Sequence, residues 1–292
     1  MTETVLLTGA TGFLGGHVLN ALLARGYRVA VTQRSSSDTS VIPEHVPTFD
    51  IEREDPGSIL RREDVRAVIH LACNQGRGVS AIETLVGTNV LLGLRLLEAA
   101  RNAQVRQFLN ADTLLEPGVN AYALSKTQFR QWLPYFSDTL AIANMRLGNL
   151  YGPGEPEAGF LAWLLREFGR DAQTIEFTAG EQRRDFVHVS DVSKAILTIL
   201  EAPAANGLQE YDVGSGEMLS LRQFVEMARA VYAEEAGEVK SRLVFGALPY
   251  RTGEVMMPTF DTAGLFDLGW RPSLTTREGL RRTIRAHLRV DG

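Results

Sequence analysis

The 292-residue sequence predicts an α/β fold, an open, doubly wound parallel sheet with a smaller C-terminal α+β lobe. Three observations carry that prediction. An apolar run, Val5-Leu6-Leu7, leads straight into glycines spaced by three at Gly9, Gly12 and Gly15. Strand-like and helix-like periods then alternate through the first half, which requires right-handed parallel crossovers. After Tyr151-Gly152-Pro153-Gly154 the elements shorten and are punctuated by Pro and Gly.

Residues 5–7 read as a buried strand because they are apolar without alternation. A helix begins at Phe13, with Phe13, Leu14, Val18, Leu19, Leu22 and Leu23 on one side. Between them Gly9 permits a sharp turn, and Gly12 clears the backbone for an approaching anion. Gly15 lets the helix close on the strand, and the free N–H groups of the helix start face a phosphate. Residues 28–32 read as the second strand, 46–50 as a weaker third and 66–73 as a strong fourth. Residues 81–103 carry the period of one long amphipathic helix. Residues 105–110 are the fifth strand, 120–135 a helix running to Pro134, and 140–147 the sixth strand. Beyond these, 160–168, 192–200, 221–233 and 275–288 read as helices, and 174–177 and 209–213 as strands. The predicted domains are 1–155 with 186–213 returning to it, and a second lobe of 156–185 and 214–292.

Hydrophobic residues are 45% of the chain and charged residues 22%, the balance of a globular protein. A net charge of −5 argues against nucleic acid or an anionic membrane surface as the main partner. A phosphate ligand must then be met by local arginines and helix ends. The single cysteine, Cys73, allows no internal disulfide and fits a reducing compartment. No basic leader precedes Val5 and no apolar run reaches ~18 residues, so the expectation is cytoplasmic, with no signal peptide or membrane span. No Cys/His cluster suggests a metal, and His188 in Phe-Val-His-Val reads as a packed strand residue.

Tyr122-Ala123-Leu124-Ser125-Lys126 is the chemical centre of the sequence. Spacing i, i+4 sets phenol and ammonium on one helix face. A free Tyr has a pKa of about 10, too high for proton transfer near neutrality. A neighbouring cation favours the phenolate and lowers it. Such a pair can pass a proton to or from a substrate oxygen. At the end of the second strand, 24 residues beyond Gly9, stands Gln33, followed by Arg34. An acid there would bind a ribose 2′-OH, whereas guanidinium binds a 2′-phosphate. The pair favours NADP(H), with NAD(H) as the alternative.

With Thr8 ahead of the glycines, Phe13-Leu14 among them and Tyr-x-x-x-Lys after the fifth strand, the sequence resembles the extended short-chain dehydrogenase/reductase superfamily. That superfamily contains nucleotide-sugar epimerases, dehydratases and ketoreductases. The resemblance continues through Arg146-Leu147-Gly148-Asn149-Leu150-Tyr151-Gly152-Pro153, Arg184-Asp185-Phe186-Val187-His188-Val189, Arg251-Thr252-Gly253-Glu254 and Leu268-Gly269-Trp270-Arg271-Pro272. It implies a Rossmann-like sheet that binds a dinucleotide through Gly9, Thr11, Gly12, Phe13, Leu14, Gly15, Gln33, Arg34, Asp50, Ile51, Leu71, Ala72, Cys73 and Leu147, together with Tyr122 and Lys126. Asp50 matches an adenine contact, and Asn89 a residue that braces the site. Thr113 matches the hydroxyl that holds the reacting oxygen. Asp112 beside it is open to reading as a catalytic acid, but reads better as a loop or cap residue. Asn74, Thr113, Asn149, Arg184 and Arg251 match substrate contacts, the two arginines gripping the nucleotide diphosphate. The second lobe is thereby implied to be the substrate-binding one.

Dehydratases of the superfamily place an Asp-Glu pair after the Thr. This chain has Leu114-Leu115, so 4,6-dehydration is not expected. Residues 110–113 and 122–126 most resemble the CDP-abequose and CDP-paratose synthase type. The implied reaction is NADPH-dependent reduction of the C4 keto group of a nucleoside-diphosphate 4-keto-6-deoxyhexose. A 4-epimerase with tightly bound NAD shares Thr113, Tyr122 and Lys126 and stays open, as does a non-catalytic NADP-binding sensor. Family members often pair the helices that here carry Leu85, Leu92, Leu96 and residues 122–135, so a homodimer is also expected.

Overall fold

The computed structural model describes residues 3–76, 81–170, 172–204, 206–251 and 253–290. In chain order the elements are β1 (Thr4–Thr8), α1 (Phe13–Ala24), β2 (Arg28–Gln33), β3 (Thr48–Asp50), α2 (Pro56–Arg62), β4 (Val65–His70), α3 (Ile82–Val86), α4 (Leu92–Asn102), β5 (Gln107–Thr113), α5 (Ala121–Arg130), β6 (Ala141–Leu147) and β7 (Asn149–Tyr151). They continue with α6 (Phe160–Gly169), β8 (Thr174–Phe177), β9 (Arg183–His188), α7 (Val189–Glu201), β10 (Gly207–Val213), β11 (Met218–Ser220), α8 (Leu221–Ala236), β12 (Arg242–Phe245), α9 (Ala263–Asp267) and α10 (Thr276–Val290). A π-helical turn, Gly87–Leu91, joins α3 to α4, and a 3₁₀ turn spans Leu133–Phe136.

The chain divides into two units. The first is Met1–Leu147, Ser193–Val213 and Thr262–Trp270, and the second Gly148–Val192, Gly214–Asp261 and Arg271–Gly292. The first unit holds a seven-stranded parallel sheet in the order β10-β6-β5-β4-β1-β2-β3, with flanking helices. Every residue of β1 is buried, as a central strand covered on both faces requires. The register sets Leu6 beside Ala30 and Val68, Val68 beside Phe108, and Phe108 beside Ile142. These share one apolar cluster with Leu96 and Leu97 of α4 and Phe129 of α5. Two residues onward the same face turns polar, with His70, Asn110, Asn144 and Glu210 side by side.

The second unit carries the sheet β11-β9-β7 and the parallel pair β12-β8. Its core is aromatic: Phe186 stacks on Phe224 with centroids 3.8 Å apart, in a cluster with Tyr151, Phe168, Phe177 and Tyr232. Asp185 accepts from the backbone of Ser215 and Gly216, and Asp191 from that of Ser273 and Leu274, so two buried carboxylates pin its loops. No helix among the described residues is long and apolar enough to cross a membrane.

Several elements differ from their sequence-based expectation. The helix predicted over 81–103 is broken by the π turn, at whose centre Asn89 is fully buried. An extra residue per turn shifts the phase of everything before it. Of the leucines on the helix expected to pair, Leu85 and Leu96 are buried and Leu92 is half-buried, while Ile82 and Leu91 are exposed. β5 continues to Thr113 because β6 keeps pace beside it as far as Leu147. β4 stops at His70, which leaves Leu71, Ala72 and Cys73 in the following loop. α5 ends at Arg130, and Pro134 sits in the 3₁₀ turn. The first unit ends at Leu147 rather than at 155, since β7 pairs with β9. Thr262–Trp270 groups with the first unit, where α9 packs on β10. α2, β7, β11, β12 and α9 carried no readable period, being three to seven residues long.

Candidate active site

The carboxyl ends of β1, β4 and β5 form one edge of the sheet. β1 turns at Gly9, whose φ is +75°, and a Cβ there would lie 2.7 Å from the backbone nitrogen of Ala72. At Gly15 a Cβ would overlap the Gly9 carbonyl oxygen. α1 starts at Gly12 with no side chain capping it, so its first N–H groups stay open to an anion. Thr8 supports the turn from below: its Oγ1 accepts from Ala72 N–H at 3.1 Å and lies 2.9 Å from His70 Nδ1. His70 is buried against the rings of Phe108 and Phe129. Desolvation, reinforced by the Lys126 charge, pushes its pKa down to about 3, so it stays neutral.

Gln33 ends β2 half-buried, and its Oε1 is buried with no partner among the described residues. Arg34 is exposed. Ser35 next to it donates from Oγ to Asp50 Oδ2 at 2.6 Å and from its N–H to Glu52 Oε2 at 3.2 Å. The Ser35 bond holds the Asp50 carboxyl below its usual range. Ile51 packs its side chain into the apolar cluster, and Leu71 is buried while Ala72 and Cys73 open toward solvent. Thr11 is exposed, and Phe13, Leu14 and Leu147 are half-buried.

α5 is started by Asn120, whose side chain accepts from Ala123 N–H at 2.8 Å. Tyr122 is half-buried and Lys126 is only 3% exposed. No hydrogen bond or ion pair to the Lys126 ammonium is found among the described residues. Burial lowers its pKa, Asp112 and Cys73 oppose that, and Arg130 adds to it. A buried cation without a protein partner suits ligand oxygens. Asn89 fixes the helix in place. Its Nδ2 donates to Ser125 Oγ at 2.9 Å and to the Asn74 carbonyl at 2.8 Å, and its Oδ1 accepts from Asn74 N–H at 2.7 Å. Asn74 turns its own side chain to Gly76 N–H. The glycine turn, the open start of α1 and the unpartnered Lys126 together fit a dinucleotide.

Thr113 is the last residue of β5 and is buried. Asp112 corrects the sequence reading: it is neither loop nor cap but a buried strand residue, ion-paired to Arg130 at 2.5 Å. Its position in β5 was hidden because the apolar run that marks the strand stops before it. Sequence reading also passed over His70, Glu52 and Arg130, and took Thr8 only as part of the glycine motif. Thr8 and His70 were legible as polar residues at the ends of two apolar strands; Glu52 and Arg130 carried no signal.

In the second unit, Asn149 is exposed at the start of β7. Arg184 donates to the carbonyls of Arg183 and Val255 and pairs with Glu254, which leaves Nε and one Nη2 hydrogen. Arg251 is exposed, and its guanidinium meets no partner among the described residues.

A family model described as NAD dependent epimerase/dehydratase family matches residues 5–214. The chain is 29% identical over 299 residues to CDP-abequose synthase of Salmonella typhimurium, covering 98% of each chain. A UDP-glucose 4-epimerase of Thermus thermophilus, solved in complex with NAD, is 28% identical with a TM-score of 0.78, covering 97% of this chain and 98% of that one. A UDP-glucose 4-epimerase of Thermotoga maritima, solved with UDP-glucose, superposes with a TM-score of 0.86 at 24% identity over 99% of this chain and 100% of that one, a likeness of fold.

The neutral His70 makes stability depend on pH. Above pH 6.5 folded and unfolded chains both carry it uncharged; below, the unfolded chain takes a proton that the folded one refuses until about pH 3. Its contribution is therefore complete above pH 6.5 and is lost as pH falls toward 3, at up to about 1.4 kcal/mol per pH unit. Urea unfolding across that window should show a shallower loss for His70→Gln than for the parent.

Proposed function

This chain belongs to the NAD dependent epimerase/dehydratase family, and from that premise we propose that it reduces the C4 keto group of a nucleoside-diphosphate 4-keto-6-deoxyhexose at the expense of NADPH. The carrying observation is that Lys126, one turn from Tyr122 on the helix anchored by Asn89, is buried with no partner among the described residues. The 29% identity to CDP-abequose synthase over 98% of each chain supports the substrate class. Leu114-Leu115 after Thr113 supports reduction over dehydration.

In this reading the bound dinucleotide supplies the hydride. Tyr122 gives its proton to the carbonyl oxygen as that oxygen gains charge. Thr113 donates a hydrogen bond to the same oxygen and fixes its direction. Lys126 favours loss of the phenol proton and offers its free N–H donors to the dinucleotide ribose. Gln33 and Arg34 favour the 2′-phosphate. Arg251, exposed and without a partner among the described residues, and the remaining donors of Arg184 serve the nucleotide diphosphate.

A 4-epimerase holding NAD is the second reading. It draws on the Glu52 carboxylate at the Ser35 N–H, a negative charge beside Arg34. Homodimer formation belongs to the same proposal: Leu124 of α5, Trp132 and Tyr135 are exposed, as are Ile82 and Leu91 of the adjoining helices.

Three outcomes are expected. Tyr122→Phe should lower kcat by about 10²–10⁴-fold with little change in NADPH affinity, read by single-turnover hydride transfer to a panel of nucleotide 4-keto sugars. Transfer at the parent rate would exclude Tyr122 as the acid. NADPH should bind more tightly than NADH, and Arg34→Ala should erase a tenfold to hundredfold share, on the order of one charge-assisted pair, in titrations of either dinucleotide. Equal parent affinities, or NAD found by mass spectrometry of the purified protein, would favour the epimerase. Sedimentation at micromolar concentration should give a dimer; a monomer would count against the helix pairing.

A further inference from the structure

We propose that Asp112 and Arg130 are positioning residues, an ion pair that grips Thr113 at both its backbone ends and ties it to the helix of Tyr122 and Lys126. The inference rests on the reading of those three residues as the reacting site. Asp112 Oδ1 accepts from Thr113 N–H at 2.7 Å. Arg130 Nη2 donates to the Thr113 carbonyl at 3.2 Å. The two side chains close the bracket through Arg130 Nε and Asp112 Oδ2 at 2.5 Å. The Asp112 side chain is fully buried. Asn144 of β6 donates to the same Oδ2 at 2.9 Å, and is itself held by Asn110 at 2.7 Å and Glu210 at 3.1 Å. Asp112 therefore cannot swing away, and Thr113 cannot move without breaking a buried charge network.

Arg130 lies one turn beyond Lys126 and two beyond Tyr122 on the same helix. A shift of α5 along its axis would thus break the ion pair and misplace the Tyr and Lys together. The pair also sets the field at Lys126. That ammonium is faced by Asp112 from β5, Arg130 from α5, Cys73 from the loop after β4 and the neutral His70 from β4, with Tyr122 on its own helix face. Arg130 in turn is faced by Glu210 and Glu116. Asp112→Asn leaves Arg130 unopposed, so Lys126 releases its proton at lower pH. Arg130→Met leaves Asp112 unopposed, so Lys126 holds its proton to higher pH.

The chain has three lysines, Lys126, Lys194 and Lys240, so ¹³C labelling at the lysine ε-carbon gives a spectrum that Lys126→Met assigns. The titration is run on the whole protein without ligand. The Lys126 midpoint should fall in Asp112→Asn, rise in Arg130→Met and return toward the parent in the double variant. Opposite signs from two variants of one ion pair are not produced by general loosening. Single-turnover hydride transfer should fall about 10–100-fold in Arg130→Met, and about tenfold in Arg130→Lys, which keeps the charge but loses the second donor to Thr113. Equal Lys126 midpoints throughout, or a folded Arg130→Met that transfers hydride at the parent rate, would overturn the proposal. Should Arg130→Met fail to fold, Asp112→Asn carries the titration and Arg130→Lys the hydride transfer. A parent that reduces no nucleotide 4-keto sugar would end the reductase reading, while the Lys126 midpoints would still decide whether the ion pair acts on the site.

Discussion

Backbone meets backbone where β1 turns into α1, and the first unit is arranged to allow it. Gly9 sits against the Ala72 backbone and Gly15 against the Gly9 carbonyl, with no room for a Cβ at either place. That closeness brings the uncapped start of α1 to the end of β1, where an anion can take its N–H groups. It also brings the loop after β4 within reach of Thr8, whose hydroxyl joins Ala72 and His70. A side chain at either glycine would push these three apart.

The second organising feature is the change in one sheet face along its strands. Leu6, Val68, Phe108 and Ile142 lie side by side and bury against α4 and α5. One pleat further the same strands present His70, Asn110 and Asn144, and one further again Asp112, Arg146 and Asp212. Most of these buried polar groups find one another: Asn110 to Asn144, Asn144 to Asp112, Asp112 to Arg130, Arg146 to Asp212; Asn110 Oδ1 and His70 Nε2 have no partner among the described residues. The apolar rows hold the helices on; the polar rows set where they stop. Thr113, Tyr122 and Lys126 are all attached to this polar end.

Much of this was readable in advance. Parallel strands buried on both faces are continuous apolar runs, so β1, β4 and the start of β5 were plain, and a Gly-rich turn between strand and helix has few uses. The Tyr-x-x-x-Lys spacing placed both side chains on one helix face, and Lys126 is indeed buried there. The π turn was not readable. Asn89 appeared as a polar residue in an apolar period, and the direction it faces depends on partners far off in sequence, Asn74 and Ser125.

By itself the sequence determined the α/β class, the glycine turn and the identity of the groups available for chemistry, because those follow from local pattern and residue type. Tertiary structure decided how the groups are charged, held and partnered. Asp112 reads as a loop acid until β6 is paired beside it and Arg130 is brought across from α5. His70 carries no role in the sequence, and only burial, against two aromatic rings and beside a cation, keeps its proton off. Both outcomes depend on burial and on neighbours distant in the chain, which no local pattern encodes.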